Sequence, residues 1–334
     1  MVLVKLSNSY KIMMSNSKSI VFVPDPYHPD AVALLKNSEK VDAIFSPNPE
    51  WQLWHEKADA LLLRSETRIT ADDFKNAKKL KVIVKQGVGV DNIDLNAAKV
   101  HGVAVCNTPA LNSETVAELT IALALAISRR ICEIDRRIRR GEKVIRSKVL
   151  GRSLFKKCIG IIGMGNVGKE VAKKWIAAMN GSIVAYDPFA PSNAWEDLPH
   201  DRVNGLKDLL AAADVVTLHV PLTSTTKGMI GKAEFGVMKK EAILLNCARG
   251  GIVDEQALLV ALNSGEIGGA GLDAMDYEPP TTSTYGQTLL ACNNVVLTPH
   301  IGGSTAENQS RSGTAAVETL LSFLEGKEVL GRLV

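Results

Sequence analysis

From Ser19 onward, short apolar runs alternate with amphipathic stretches along the chain. The runs IVFVP, AIFSP, ALLLRS, VIVKQG and VAVCNT have the length of strands, while AVALLKNSEK and TADDFKNAKKL between them have the mixed character of helices. Strand-length apolar runs separated by helical patterns predict βαβ units and a parallel sheet, so this first block reads as a small α/β domain. Leu111 to Arg130 then reads as one helix. Thr115 and Glu118 fit a capping box, and VAELTIALALAIS is apolar almost all round, as a buried helix must be. Such a helix is expected between two bodies, which puts it at a domain junction.

A second α/β series starts at Cys158. Its runs CIGIIG, SIVAYD, VVTLHV, AILLNCA, GAGLDA and NVVLTPH are apolar and β-branched, as strands buried on both faces must be. Helical segments such as VGKEVAKKWIAAM and GLKDLLAAA separate them. The block resembles a doubly wound nucleotide-binding domain. A last amphipathic helix, roughly residues 305–325, and a short tail follow His300. Because the nucleotide block begins in mid-chain, the tail is free to return to the first block. The expected division is a discontinuous domain of residues 1–110 and 304–334, and a second domain of residues 111–303.

Composition narrows the class. A chain of 334 residues is comfortable for two cores, and 46% hydrophobic with 22% charged residues excludes a disordered or fibrous protein. The net charge of +3 is too small for a polyanion-binding surface, so no nucleic-acid partner is expected. One local exception is the cluster Arg129, Arg130, Arg136, Arg137, Arg139 and Arg140. The favoured reading is the solvated face of a helix end and its following loop; the sharper one is a site for an anionic substrate group or a partner subunit. The five cysteines, Cys106, Cys132, Cys158, Cys247 and Cys292, are scattered and odd in number. That speaks against a disulfide framework or structural zinc and for a reducing compartment. The first eighteen residues are polar, contain no arginine and lack a signal-peptide core, so a cytoplasmic location is the simplest expectation. The longest apolar run, Leu119 to Ile127, is far short of the ~20 residues that cross a bilayer, and no membrane association is expected.

Candidate chemistry begins with Gly163-Met164-Gly165-Asn166-Val167-Gly168, which follows a predicted strand and opens a predicted helix. Alone, a GxGxxG match is also an ordinary βα turn. Here Gly163 permits the turn, Gly165 lets backbone approach a pyrophosphate, and Gly168 lets helix and strand pack closely. The strand SIVAYD then ends in Asp187, placed to accept hydrogen bonds from ribose hydroxyls and to repel a 2′-phosphate. Pro188 and Phe189 after it supply no arginine, so the expected cofactor is NAD rather than NADP.

Three further residues follow apolar strands: Arg249 after AILLNCA, Glu278 after GAGLDAMDY and His300 after NVVLTP. Open α/β sheets place their ligands at such strand ends. Hydride transfer to a keto acid needs a proton donor, a cation for the carboxylate and a group that keeps the donor protonated. A histidine with an ordinary pKa near 6.5, an arginine with its planar fork and a glutamate beside the imidazole suit those tasks. Singly, each has a bland reading as a capping or surface residue; together, behind a nucleotide fingerprint, they point to catalysis.

The segments KQGVGVDNID, NSETVAEL, GMGNVG, NCARGGIVDEQAL, GAGLDAMDYEP and NVVLTPHIGGST resemble the D-isomer-specific 2-hydroxyacid dehydrogenases, over nearly the whole chain from about Ser19. The resemblance implies that Arg249, Glu278 and His300 are a catalytic trio. It also implies that residues 1–110 and 304–334 form a flavodoxin-like substrate domain and 111–303 a Rossmann-type NAD-binding domain, and that the chain works as a homodimer. Position by position, it implies that backbone N–H groups of Val88 and Gly89 hold the substrate carboxylate, with Arg64 and Ser65 close by. It further implies that Thr115, Asp187, Pro221 and Cys247, with Ala248, Asp273 and Gly302, contact the cofactor alongside Gly163, Gly165, Asn166, Val167 and Gly168.

The expected reaction interconverts a small 2-keto acid and its D-2-hydroxy acid in a cleft between the domains, His300 exchanging the proton. The candidate substrates are 3-phosphoglycerate, glyoxylate and hydroxypyruvate. Two rivals share the fold: a corepressor-like NAD-binding scaffold, and a formate or phosphite dehydrogenase. The scaffold would be expected to show a long polar tail, which is not evident before Val334. Ala274-Met275 stands where the family often has Val-Phe, and Gln86 where small residues are common, so a different pocket wall is expected. Feedback control through an extra C-terminal regulatory domain is not expected.

Overall fold

The computed structural model describes residues 18–285 and 288–334. The polar opening segment on which the targeting argument rested therefore lies outside the described residues, except for Lys18. By contact the chain divides into two compact units. One comprises the residues up to Gln86, Val90–Thr108 and Gly313–Val334; the other comprises Gly87–Gly89 and Pro109–Ser312.

The first unit is built on five parallel strands, β1 (Ser19–Val23), β2 (Val41–Phe45), β3 (Ala60–Leu63), β4 (Val82–Lys85) and β5 (Ala104–Asn107), in the order β2-β1-β3-β4-β5. That order is the flavodoxin-like one. Alternation of side chains divides each strand between two faces. Val21, Leu62 and Val84 pack with Leu35 of α1 (Pro29–Lys36) and Leu320 of the C-terminal helix. Phe22, Leu61 and Ile83 pack on the other side with Trp54 of α2 (Trp54–Lys57), Phe74 of α3 (Ala71–Asn76) and Ala98 of α4 (Leu95–His101). The tail does return to this sheet: Asn107 N–H donates to Gly331 O at 2.9 Å and Leu333 N–H to Val105 O at 2.8 Å.

The second unit opens with α5 (Ser113–Ser128) and α6 (Ile131–Arg139). Its strands are β6 (Ile159–Ile162), β7 (Ile183–Tyr186), β8 (Asp201–Arg202), β9 (Val215–Leu218), β10 (Ile243–Asn246), β11 (Gly269–Leu272) and β12 (Val295–Leu297). They form one parallel sheet in the order β12-β11-β10-β9-β6-β7-β8, doubly wound about β6. On one face α5 and α7 (Asn166–Met179) cover Ile159, Ile161 and Ile243, with Trp175 fully buried and its indole N–H donating to Lys157 O at 3.0 Å. On the other face α8 (Leu206–Ala212), α9 (Lys232–Phe235) and α10 (Glu255–Ser264) cover Leu218, Leu244 and Leu272. The four-residue α11 (Thr282–Tyr285) precedes β12, and α12 (Ala306–Leu324) closes the chain, with the division between units falling inside it.

Two sequence expectations need correction. The helix drawn from Leu111 to Arg130 runs Ser113–Ser128, and Thr115 is not its cap. Asn112 holds the cap position, and the Thr115 hydroxyl, already inside the helix, donates to Asn112 O at 3.0 Å instead. The arginine cluster follows the bland reading where its partners are seen. Arg130 grips Glu133 through two 2.7 Å bonds, Arg137 reaches Glu142 at 2.8 Å, and Arg139 reaches Asp135 at 2.8 Å. All five cysteines are free thiols. Among the described residues no helix is long and apolar enough to cross a membrane, and no cluster of side chains could hold a metal ion.

Candidate active site

The turn from β6 to α7 consists of Gly163, Met164 and Gly165, with Asn166, Val167 and Gly168 opening the helix. Gly163 has φ +101°, and a Cβ there would overlap the carbonyl oxygen of His219; a Cβ on Gly168 would overlap the carbonyl oxygen of Gly163. Gly165 differs: nothing stands within 4 Å of where its Cβ would be. Two glycines therefore close the helix onto the strand, and the third leaves open space before a helix N-terminus that no side chain caps. Backbone N–H groups and the positive end of the helix face that space, the arrangement that receives a pyrophosphate.

Asp187, at the end of β7, is tied to this loop. One carboxylate oxygen accepts from Met164 N–H at 2.9 Å, the other from Phe189 N–H at 2.9 Å and Ala190 N–H at 3.1 Å. Sequence reasoning found no arginine here, but folding brings one: Arg202 of β8 donates to the carbonyls of Asp187 (2.8 Å), Ala190 (2.7 Å) and Pro191 (2.7 Å). Its guanidinium braces the loop's backbone. The signal was faint, since a two-residue edge strand has no hydrophobic pattern.

β10, β11 and β12 are neighbours, so the loops leaving them lie side by side, and these loops carry Arg249, Glu278 and His300. His300 Nδ1 lies 2.8 Å from Glu278 Oε2, while Glu278 Oε1 accepts from Met275 N–H at 2.9 Å. Burial alone would raise the Glu278 carboxyl. The hydrogen bond and charge of His300, the Met275 N–H and the Arg249 guanidinium outweigh it, and the carboxyl sits below its ordinary value. The structure thus brings the three predicted residues to one sheet edge, with two of them in direct contact.

Several residues that hold this edge were missed. Asn246, almost fully buried at the end of β10, donates to Arg249 O at 2.8 Å and Ala274 O at 3.1 Å and accepts from Ala248 N–H at 3.1 Å. It therefore locks the Arg249 loop to the start of the Glu278 loop. Gly250 is needed for the same approach, because a Cβ would overlap the Met275 carbonyl. The only sequence signal was a polar residue closing an otherwise apolar strand.

The other predicted cofactor residues are placed as follows. Asp273 is buried, accepting from the Thr298 hydroxyl at 2.6 Å, Ile301 N–H at 2.8 Å and Gly302 N–H at 2.9 Å. It grips both sides of His300, whose backbone is left-handed (φ +57°). Pro221 follows β9, its carbonyl accepting from the Thr226 hydroxyl at 2.6 Å. Cys247 is buried, and burial pushes its thiol up to about 12, so it is no nucleophile. Ala248 is buried beside it, its carbonyl accepting from Arg249 Nη1 at 2.7 Å. Ala274 and Met275, expected to alter a pocket wall, are both buried.

The predicted substrate residues fall in two groups. Arg64 and Ser65 follow β3 in the first unit. Arg64 Nη1 donates to Pro26 O at 3.0 Å, and Ser65 accepts from the buried Lys85 ammonium at 3.3 Å. Val88 and Gly89 belong by contact to the second unit, with Val88 exposed.

A doubly wound parallel sheet with an open glycine turn at an uncapped helix N-terminus has the form of a dinucleotide-binding domain. Residues 121–302 match the model of the D-isomer specific 2-hydroxyacid dehydrogenase NAD-binding domain, and the chain belongs to that family. It is 41% identical to a D-3-phosphoglycerate dehydrogenase of Methanocaldococcus jannaschii over 92% of its length, but spans only 58% of that protein. A hydroxypyruvate reductase of Thermotoga maritima is 40% identical over 91% of this chain and 98% of its own. Among solved structures, a D-lactate dehydrogenase of Aquifex aeolicus complexed with NAD and lactic acid is similar with a TM-score of 0.78 and 30% identity. That match covers 92% of this chain and 96% of the other.

Proposed function

We propose that the chain is an NAD-dependent oxidoreductase interconverting a small 2-keto acid and its D-2-hydroxy acid, with Arg249, Glu278 and His300 as catalytic residues. The 2.8 Å contact between His300 and Glu278, at the strand ends of an NAD-binding domain, carries this reading. NAD, when bound, supplies or accepts the hydride. Glu278 occupies His300 Nδ1, which leaves Nε2 as the atom that exchanges a proton with the substrate oxygen. Arg249 orients the substrate carboxylate with the backbone N–H groups of Val88 and Gly89, and Arg64 and Ser65 are further substrate contacts. Gly163, Gly165, Asn166, Val167 and Gly168 cradle the pyrophosphate, and Asp187 takes the ribose. Thr115, Pro221, Cys247, Ala248, Asp273 and Gly302 complete the cofactor contacts.

Hydroxypyruvate and glyoxylate rank ahead of a phosphorylated substrate. Three of the clustered arginines are already committed to carboxylates of their own helix and the loop after it, and the hydroxypyruvate reductase is matched along nearly its whole length. The chain is read as a cytoplasmic homodimer, the location from the scattered, odd number of cysteines and the dimer from the family resemblance of its sequence motifs. A panel of glyoxylate, hydroxypyruvate, pyruvate and 3-phosphohydroxypyruvate with NADH tests the proposal. Steady oxidation of NADH with at least one is expected, and none with any would overturn it. His300→Gln should cut turnover roughly 10²–10⁴-fold while NADH binding persists; undiminished turnover would remove His300 from the reaction.

A further inference from the structure

Glu278 can meet His300 only if the segment before it is held, and three consecutive N–H groups of that segment each end on a side chain. Met275 N–H donates to Glu278 itself, Asp276 N–H to Glu255 Oε1 at 2.9 Å, and Tyr277 N–H to the Tyr285 hydroxyl at 3.0 Å. Glu255 is the first residue of α10 and Tyr285 the last of α11. The two anchors also act on each other: the Tyr285 hydroxyl pulls the Glu255 carboxyl down, and the Glu255 carboxylate pushes the Tyr285 phenol up. Neither residue is among those proposed above to bind NAD or to move the proton, yet both hold the loop that carries Glu278.

We propose, resting on the reading of Glu278 as the partner of His300, that Glu255 and Tyr285 are a positioning pair for Glu278. The charged and titratable groups around this cluster come from every neighbouring element. Asp276, Glu278 and Tyr285 act on Glu255, and Arg249 and His300 act on Glu278. Burial, with Asp276 and Glu278 in the same direction, raises the Glu255 carboxyl against the pull of the Asp276 N–H and the Tyr285 hydroxyl.

Glu255→Gln separates charge from position, because the amide oxygen still accepts the Asp276 N–H. The substrate-free readout is amide hydrogen exchange at Asp276 and Tyr277 in the full chain, followed by NMR. The Tyr277 N–H is expected to exchange faster in Tyr285→Phe while the Asp276 N–H keeps its protection in Glu255→Gln; the opposite result at either amide overturns the pair. Tyr285→Phe keeps the ring and removes the hydroxyl. With hydroxypyruvate and NADH its kcat is expected to drop several-fold at unchanged KM for NADH, and an unaltered kcat overturns the positioning role. Should Glu255→Gln not fold, Tyr285→Phe decides alone. Amide exchange needs no substrate, so a keto-acid panel without turnover would sink the proposed reaction and leave that measurement standing.

Discussion

At the residue scale, the strand ends that carry Arg249, Glu278 and His300 depend on the polar side chains of Asn246 and Asp273. Asn246, almost fully buried, serves three backbone groups, so its replacement takes one hydrogen bond from each. Asn246→Leu, close in volume, should lower unfolding free energy by on the order of 3 kcal/mol in urea titrations. Turnover should fall with it, since the Arg249 and Glu278 loops lose their tie; a variant as stable as the parent would show that these bonds are replaceable. Asp273 plays the matching part on the other side, its three accepted bonds holding His300 in a backbone conformation that side chains seldom adopt.

At the element scale, the glycine turn separates two effects that sequence alone merges. Gly165 faces open space at an ordinary φ of −79°, so Gly165→Ala should leave stability within about 0.5 kcal/mol of the parent while weakening NADH binding. Gly168→Ala should instead destabilise by about 1–3 kcal/mol, because its methyl meets the Gly163 carbonyl. Thermal unfolding and NADH fluorescence titration of the pair read both outcomes, and equal stabilities would refute the division. Strands of this kind were legible because both faces of a parallel sheet are buried, which forces runs such as CIGIIG and AILLNCA. β8 was not, since Asp201 and Arg202 are both exposed and the strand exists only through its pairing with β7. Thr115 and Glu118 misled for the opposite reason: a capping pattern can occur inside a helix, and only the start at Ser113 distinguishes the two. Arg249, Glu278 and His300 were legible as residues after strands, whereas the Asn246, Glu255 and Tyr285 contacts depend on which loops become neighbours in space.

At the scale of the whole molecule, acid should be the vulnerable side. His219, just past β9, is held near a pKa of about 3 by burial, its Nε2 lying 2.9 Å from the Thr217 hydroxyl. The unfolded chain takes up that proton from about pH 6.5 downward and the folded one does not, so stability is complete above pH 6.5 and declines as pH falls toward 3. Glu278 acts in the same direction at lower pH, its stabilisation present above its unfolded value and lost as the folded carboxyl protonates. Urea midpoints should drop from pH 6.5 to 4 with a slope of at most about 1.4 kcal/mol per pH unit from His219, and His219→Gln should lose that share; a slope identical in both chains would exonerate the imidazole. The neighbouring order of β10, β11 and β12 has a consequence for how such a chain can vary. Arg249, Glu278 and His300 all leave the sheet at one rim, while the returning connections, such as the turn at Gly265, arrive at the opposite rim. Extra residues spliced into those returns add length where no chemistry is carried, so a reporter peptide or a whole inserted module belongs there rather than beside His300.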